Sequence, residues 1–349
     1  MNYNISMKNL WYYPQYYTNF KCKASKCRNN CCSNWKIPVS HQEYNKLINM
    51  ECSDDLYRRV TMAFVEPDFP TEERYRYISF NWLGECPLQD QKLCTIHRDK
   101  GEDFLPRICR LYPRSFKSIN GQNYVSCSGS CEAVIERLLD SDQMYMVAGR
   151  LDAHPEVFIN IPEDSLKQIS LFQRLLKDRS TTLAESLYEI CMIINEKEFT
   201  EDYYSDADAF QNALTVLKRL YNSNHVLEEI AAPIIERYTE DPSLYDSDMA
   251  EFEKDFPEWM HFFERVINNS MMYECFPFVD SRFDQTLSYR GLCVSYGLMR
   301  VLCAGNHHFN KSSESLVDAV CNLYHLIDHT SFYYNVNVLI DNAAVMIKL

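Results

Sequence analysis

The stretch CKASKCRNNCCSNW, residues 22–35, places four cysteines in a C-x4-C-x3-C-C pattern within eleven residues. Lysine and arginine side chains lie between them, and positive neighbours favour the thiolate form that binds metal. Short irregular spacing lets a loop fold around an ion or a cluster, and both zinc and iron–sulfur clusters accept thiolate ligands. The stretch therefore predicts a metal centre at Cys22, Cys27, Cys31 and Cys32. Adjacent side chains often diverge, so Cys31 and Cys32 can supply one ligand or two.

Two further cysteine groups extend this prediction. Cys86, Cys94 and Cys109 lie in CPLQDQKLCTIHRDKGEDFLPRICRLYPR, and Cys127 and Cys131 form a C-x3-C unit. Nine thiols exceed the four ligands of one site. Either two sites exist, or one site draws ligands from distant segments while the other thiols pack nearby.

The spacing also bears on which metal is bound. Structural zinc sites commonly use paired C-x2-C units, which are absent here, whereas iron–sulfur clusters tolerate irregular spacing. We therefore predict an iron–sulfur cluster, with zinc as the alternative and unliganded regulatory thiols as the third reading. The radical S-adenosylmethionine signature, C-x3-C-x2-C, does not occur, which argues against radical chemistry of that type.

Composition predicts a folded protein of the cytoplasm. The chain has 349 residues, of which 46% are hydrophobic, and 15 cysteines. It contains no apolar run of membrane-spanning length and no signal-peptide pattern at its start. Because cytosolic thiols are kept reduced, a dense cysteine pattern there indicates metal binding more often than disulfides.

Charge divides the chain in two. Through Cys131 there are 18 Lys and Arg against 13 Asp and Glu, or +5, and beyond it 17 against 36, or −19. An acidic second part repels nucleic acid and attracts a cationic partner such as a lysine-bearing protein, although a solvated acidic surface explains the same count. No nucleic-acid partner is expected.

Periodicity predicts a mainly α fold, with a cysteine-rich, loop-rich region (residues 1–140) packed on an acidic helical bundle (residues 141–349). From Ala133 onward the sequence has helical spacing, clearest in the apolar stripe from Leu183 to Ile194. Pro155 to Pro162 and Glu196 to Asp208 are predicted loops. With only 8 glycines, none in a nucleotide-binding pattern, neither a dinucleotide fingerprint nor a P-loop is present.

With these residues in view, the sequence resembles the flagellin lysine-N-methylase family. The matching segments are YYPQYYTNFKC, CKASKCRNNCCSNWKI, the CPL…LCTIH…LPRICRLYPR segment, a later cysteine followed by Glu132, and FERVINNSMMYECFPF. The segment from Cys86 to Arg114 also looks like a wider group of zinc- or iron-chelating domains. One departure is visible, since the family tends to place Pro directly after the cysteine that here is followed by Glu132, so either Cys127 or Cys131 is the equivalent position.

The resemblance implies an S-adenosylmethionine-dependent protein lysine methyltransferase that acts on flagellin and contains a 4Fe-4S cluster. The alternative is a non-catalytic zinc- or iron-binding protein with a redox-sensing role. Arg107, Arg110 and Arg114 are candidates for binding the carboxylate of S-adenosylmethionine through bidentate pairing, and structural salt bridges are the competing reading. No catalytic residue is assigned.

Two histidines remain as a lesser metal candidate. His325 and His329 are four residues apart on one predicted helical face, with Asp328 beside them. The pattern lacks the glutamate of an H-E-x-x-H site, which weakens the zinc interpretation.

Overall fold

The computed structural model describes residues 10–33, 35–82, 84–162, 165–194, 206–223, 225–278 and 285–339. The strands are β1 Leu10–Pro14, β2 Pro38–Val39, β3 Phe64–Val65, β4 Arg76–Ile78, β5 Gln89–Asp90, β6 Leu93–Cys94, β7 Arg114–Ile119, β8 Gln122–Cys127, β9 Met146–Arg150 and β10 Val157–Ile159. The helices are α1 His41–Ile48, α2 Asp54–Met62, α3 Thr95–Lys100, α4 Arg107–Leu111, α5 Glu132–Leu139, α6 Ser165–Leu176, α7 Leu183–Ile194, α8 Asp206–Leu220, α9 His225–Glu240, α10 Leu244–Asp255, α11 Trp259–Glu274, α12 Gln285–Phe309, α13 Ser313–His329 and α14 Phe332–Leu339.

A small subdomain carries most of the cysteines. Strands β2, β4 and β3 form an antiparallel sheet against α1 and α2. Ser40 and Glu43 form a reciprocal capping box that starts α1, which satisfies two backbone donors at the helix terminus. The subdomain has its own apolar core, against which four of the predicted ligands pack: Cys32, Cys86, Cys94 and Cys109.

A five-stranded mixed sheet joins the two ends of the cysteine-rich region. Its order is β10-β7-β8-β1-β9, with β7 and β8 forming a hairpin and β1 running parallel to β8. The expectation that the chain is helical throughout after Ala133 is wrong for β9 and β10, and β10 also lies inside the predicted 155–162 loop. Both strands pair with strands far away in sequence, and such pairing overrides local propensity.

The second part of the chain is a helical bundle built around α12. This helix packs against α8, α10, α13 and α14, and its Gly291 permits the close approach of α14, since a Cβ there would lie 2.0 Å from the Tyr333 ring. The main apolar core also takes in Tyr16 and Phe20 from the other end of the chain. The predicted fold class, a cysteine-rich region packed on a mainly helical assembly, is confirmed.

Three details of the helical region bear on the predictions. Helix α7 starts behind Thr182, whose side chain and Glu185 cap each other. Residues 196–205 of the other predicted loop lie outside the described residues, and α8 has begun by Asp206. Across the described ranges, no helix has both the length and the apolar character needed to cross a membrane. The boundary at residue 140 stays a prediction.

Candidate metal and substrate site

Five of the nine predicted thiols share one neighbourhood. The electrostatic interactions of Cys109 reach Cys94, Cys86 and Cys31, and those of Cys32 reach Cys31, Cys86 and Cys109. Backbone pairing helps to assemble the group, since the amide of Cys86 donates to the carbonyl oxygen of Cys32 at 2.9 Å. The first and second cysteine groups of the sequence therefore meet, as a site with ligands from distant segments requires.

Burial keeps most of these thiols protonated. It raises the pKa of Cys86 to about 12 and raises the pKa values of Cys94 and Cys109. The adjacent pair is asymmetric, because the hydrogen bond between the two side chains lowers the pKa of Cys31 and raises that of Cys32. A metal that bound here would have to displace protons from the other thiols.

The donor set of this group fits a thiolate-loving metal. All five side chains are thiols, and such soft ligands select zinc, copper(I) and iron–sulfur clusters over hard cations. Within the described ranges, no three Cys, His, Asp or Glu side chains are arranged to hold a single ion. Thiolates on one tetrahedral zinc lie about 4 Å apart, as Zn–S bonds of about 2.3 Å dictate. Residues Cys31, Cys32, Cys86, Cys94 and Cys109 have the donor chemistry for such a metal group, and their thiols would have to move closer together to hold it.

The other four predicted thiols lie outside this group, in different surroundings. Cys22 is exposed and Cys27 is half-buried, where burial and Glu132 raise its pKa to about 11. Cys127 lies in the main apolar core, and Cys131, at the start of α5, interacts electrostatically with Cys127 and with Cys31. Cys131 therefore connects the thiol group to the rest of the site.

A buried carboxylate fastens the cysteine loop to α5. Glu132 is 1% exposed and accepts hydrogen bonds from the backbone amides of Arg28 at 2.7 Å and Asn29 at 2.8 Å. The ammonium of Lys23 pairs with it as well. Burial alone would raise the pKa of Glu132, but the Lys23 and Asn29 hydrogen bonds and the Arg28 charge outweigh it, so the pKa is lowered.

Helix α13 holds the same loop from the other side. Asp318 accepts from the Arg28 guanidinium at 3.0 Å and from the Asn29 side chain at 2.6 Å. Asn322 donates to the Asn29 side chain at 2.9 Å. The loop is therefore positioned by two helices before any metal is considered.

The three predicted arginines lie in two places. Arg107 and Arg110 line an open cavity of about 690 Å³ beside Glu43 and Lys46, and the guanidinium of Arg107 pairs with Glu156. Arg114 lies over the Phe20 ring, 5.3 Å from its centroid. The Arg107–Glu156 pair matches the salt-bridge reading for that residue, and the carboxylate-binding role stays a prediction.

A polar network lies where the segment after β8 meets the end of α13. The Ser130 hydroxyl is 2.7 Å from Nε2 of His329 and 3.0 Å from the Tyr112 hydroxyl, while Ser128 donates to Oδ2 of Asp328. Gly129 permits this approach, because a Cβ there would lie 2.8 Å from the Tyr324 ring. The segment between Cys127 and Cys131 is thus bound directly to α13.

This network adjoins the thiol group through Trp35. The indole ring stacks on His329 with ring centroids 4.4 Å apart, and its Nε1 donates to the carbonyl oxygen of Cys31 at 2.8 Å. Burial lowers the pKa of His325 to about 4 and that of His329 to about 3. Both imidazoles are therefore neutral near pH 7, and His329 uses Nε2 for Ser130.

Two carboxylates and a lysine are enclosed beside the network. Burial and the charge of Glu274 raise the pKa of Asp328 to about 8, and burial also raises the pKa of Glu274. Lys117 is 8% exposed, its ammonium lies 5.1 Å from the centroid of the Tyr273 ring, and burial lowers its pKa. Perturbed groups gathered in this way are typical of functional sites.

Sequence reasoning missed most of this pocket. Asp328 and His329 were considered only as zinc ligands, and neither Lys117 nor Glu274 was singled out. The available signal was an acidic residue in the last turn of a helix, where negative charge is unfavourable, at Glu274 in α11 and Asp328 in α13. Cys321 is buried in α13, and its thiol donates to the carbonyl oxygen of Ser130 at 3.0 Å.

A second cavity, of about 750 Å³, lies between the five-stranded sheet, α6 and the end of α11. Its walls are largely apolar and aromatic, including Tyr12, Tyr124, Ile169 and Met271, and Cys275 closes one side. Cys275 directly follows Glu274 in the chain and interacts electrostatically with Lys117. The cavity therefore adjoins Lys117 and Glu274.

These features define a mainly helical protein with a clustered-thiol region beside an enclosed acidic pocket. The family model described as "FliB lysine N-methylase C-terminal domain" matches residues 122–344, and the model "Putative zinc- or iron-chelating domain" matches residues 21–132. The chain belongs to the FliB lysine N-methylase family, which confirms the resemblance recognised in the sequence.

Curated relatives agree over part of the chain. It is 28% identical over 134 residues to the lysine-N-methylases of Salmonella choleraesuis and Salmonella typhimurium, covering 38% of this chain and 33% of each relative. It is 27% identical over 134 residues to the flagellar biosynthetic protein FliU of Salmonella muenchen, covering 38% of this chain and 78% of that protein. The match thus spans about a third of the length of the two methylases. No solved structure matches the chain.

Proposed function

We propose that this protein transfers a methyl group from S-adenosylmethionine to lysine ε-amino groups of flagellin or another lysine-bearing protein. The observation that carries the proposal is the family match over residues 122–344, a span that contains Ser128, Ser130, Glu274 and Asp328 of the enclosed pocket. The names of the curated relatives support a lysine methylase and a flagellar connection. Because all fifteen cysteines are free thiols, we place the protein in the reducing cytoplasm.

The chemistry sets clear demands on the pocket. The bond between the methyl carbon and the sulfonium sulfur breaks as a bond to the lysine nitrogen forms, and S-adenosylhomocysteine leaves. The attacking amine must be neutral, although a free lysine has a pKa of about 10.4. A group in the site must therefore accept a proton from the substrate ammonium.

Asp328 is suited to that task. Its Oδ2 is held by Ser128, while its Oδ1 has no hydrogen-bond partner among the described residues. The raised pKa of about 8 places proton exchange near neutral pH, where a general base is most effective. Glu274 nearby adds the negative charge that draws an ammonium group in.

The thiol group supplies the metal centre of the proposal. Cys31, Cys32, Cys86, Cys94 and Cys109 would hold an iron–sulfur cluster, with zinc as the alternative. Such a cluster, when bound, supplies a redox-active centre whose charge depends on its oxidation state. The chain's own part is to bury the thiols, to bring the segments of Cys86 and Cys32 together through their backbone hydrogen bond, and to fix the loop through Glu132.

Anaerobic purification with metal analysis and a visible spectrum tests the cluster. We expect iron, sulfide and a brown colour, and serine substitutions at the five clustered thiols should lower iron content most. Cys303→Ser is the matched control, because that thiol is buried in α12 within the main core. A colourless protein with stoichiometric zinc would overturn the cluster.

Methyl transfer is tested with labelled S-adenosylmethionine and purified flagellin. We expect label on lysine, and we expect Asp328→Asn to reduce kcat by about 10²- to 10⁴-fold, the usual contribution of a general base. The pH profile of the wild type should rise through the pKa of Asp328. If the cluster-loaded protein labels no protein lysine, the methylase proposal fails and a metal-binding role without catalysis remains.

A further inference from the structure

The cavity between the sheet and α6 has the shape and chemistry of a small-molecule site. Its volume of about 750 Å³ lies within the range of about 300–1,000 Å³ in which proteins enclose ligands of drug size. The lining also includes the neutral polar side chains of Gln122, Ser126, Ser170 and Gln173 and the cationic side chains of Lys167 and Arg174. This combination, apolar walls with few convergent polar atoms, is typical of ligand pockets.

Two tyrosines form an aromatic wall. Tyr12 and Tyr124 lie on neighbouring parallel strands in register, and their ring centroids are 5.5 Å apart with the planes tilted by 30°. A purine can stack on such a wall, and a sulfonium can be held by the negative face of an aromatic ring. The wall therefore suits both the adenine and the sulfonium of one ligand.

Charge lies at the inner end of the same face. Lys117 pairs with Tyr124 across the β7–β8 hairpin, and Ile119 pairs with Gln122. Opposed residues project to one face of a sheet, so Lys117 shares its face with three cavity-lining residues. Glu274 interacts with Lys117 electrostatically. A ligand whose far end carries both a carboxylate and an ammonium would complement this lysine and this glutamate.

We infer that this cavity binds S-adenosylmethionine, with the adenine against Tyr12 and Tyr124 and the amino-acid end towards Lys117 and Glu274. The inference rests on the proposed methylase function, and it assigns the methyl donor of that reaction to this cavity.

The cavity beside Arg107 and Arg110 is the competing location. Its lining is dominated by charged side chains of both signs, among them Glu43, Glu72 and Asp103. Its one aromatic ring, Phe104, is covered by the ammonium of Lys46 at 4.8 Å. Such a surface offers little for an adenine base.

Calorimetric titration of the anaerobically purified full chain with S-adenosylmethionine and S-adenosylhomocysteine tests the assignment. Ser170→Trp places an indole at the cavity wall from an exposed helical position, and Tyr124→Ala removes half of the aromatic wall. Each is expected to raise Kd at least about tenfold, the effect of losing one base-stacking contact. Gln42→Trp, which obstructs the other cavity, should leave Kd unchanged.

The outcomes separate the two proposals. If the wild type binds S-adenosylmethionine but Ser170→Trp and Tyr124→Ala bind it equally well, the location is wrong and the methylase proposal stands. Loss of binding in Gln42→Trp alone would move the site to the arginine-lined cavity. If the cluster-loaded wild type binds neither ligand, both proposals fail. Circular dichroism of each variant checks that it is folded.

Discussion

Replacing Glu132 should release the cysteine loop from α5. The carboxylate is fully buried as a side chain and accepts from two backbone amides, Arg28 and Asn29, as well as from Lys23. Hydrogen bonds to a charged group contribute about 1.5–3 kcal/mol each, but bonds to one acceptor do not add independently. For Glu132→Ala we expect a loss of about 2–5 kcal/mol, because the two backbone amides lose their acceptor, at about 1–3 kcal/mol for each donor left unsatisfied.

The measurement is the free energy of unfolding in urea, combined with hydrogen exchange of residues 22–35. Glu132→Ala should lower the midpoint and speed exchange of the Arg28 and Asn29 amides. Glu132→Gln keeps an acceptor oxygen, so its effect should be smaller, about 1.5–3 kcal/mol for one lost charged bond. Iron content should also be lower in Glu132→Ala, because the loop of residues 22–35 is less ordered.

Glu136 provides the matched control. It also pairs with Lys23, at 2.6 Å, but its side chain is 32% exposed, and such pairs contribute about 0–1 kcal/mol. Glu136→Gln should therefore change the free energy of unfolding little. The reasoning is refuted if Glu132→Ala unfolds within about 1 kcal/mol of the wild type, the range of a surface pair, and leaves amide exchange and iron content unchanged.

Three other perturbations test separate parts of the fold. Burial raises the pKa of Glu264, so its contribution to stability is present below the pKa of the unfolded chain and is lost as pH rises through the folded-state pKa. Glu264→Gln should consequently gain stability relative to the wild type as pH rises above the ordinary pKa of a glutamate, measured as urea midpoints, and an unchanged difference would contradict this. Gly291→Ala should destabilise by about 1–3 kcal/mol, the usual result of overpacking, because of the Tyr333 ring; a Tyr333→Ala background should remove most of that loss in thermal unfolding. Chelation of the metal under reducing conditions should lower Tm, since a ligand bound only by the folded state stabilises it, and an unaltered Tm would argue against a metal in this region.

The sequence predicted what is encoded locally. The stripe from Leu183 to Ile194 forms α7 as helical periodicity predicts. The cysteines from Cys22 to Cys32 predict a metal-binding region, which the zinc- or iron-chelating family match over residues 21–132 supports, while the identity of the ligands stays a prediction. The order of the cysteine-containing segments along the chain then indicated the family. Prediction succeeded where residue type and short spacing carry the signal.

Contacts between distant segments were beyond that reasoning. Ser128 and Asp328 are 200 residues apart, and nothing in the periodicity of α13 indicates which loop its last turn meets. Strand β10 was read as a loop because three residues have no usable period, and it becomes a strand by pairing with β7. The spacing of the arginines likewise does not show which elements they meet: Arg107 and Arg110 line one cavity, while Arg114 lies over the Phe20 ring.

Helix α13 contacts both parts of the site, the cysteine loop and the segment of Ser128 and Ser130. Asp318 holds the cysteine loop through Arg28 and Asn29, while Asp328 and His329 hold Ser128 and Ser130. At about 1.5 Å per residue, the ten-residue step from Asp318 to Asp328 spans about 15 Å of one helix. Because a packed helix moves largely as a unit, a loop that loses its order when metal leaves also loses contacts that hold this helix in place. Hydrogen exchange should then quicken at residues 22–35 and at residues 318–329 together; exchange that quickened only in the loop would mean that the pocket is fixed by the bundle alone.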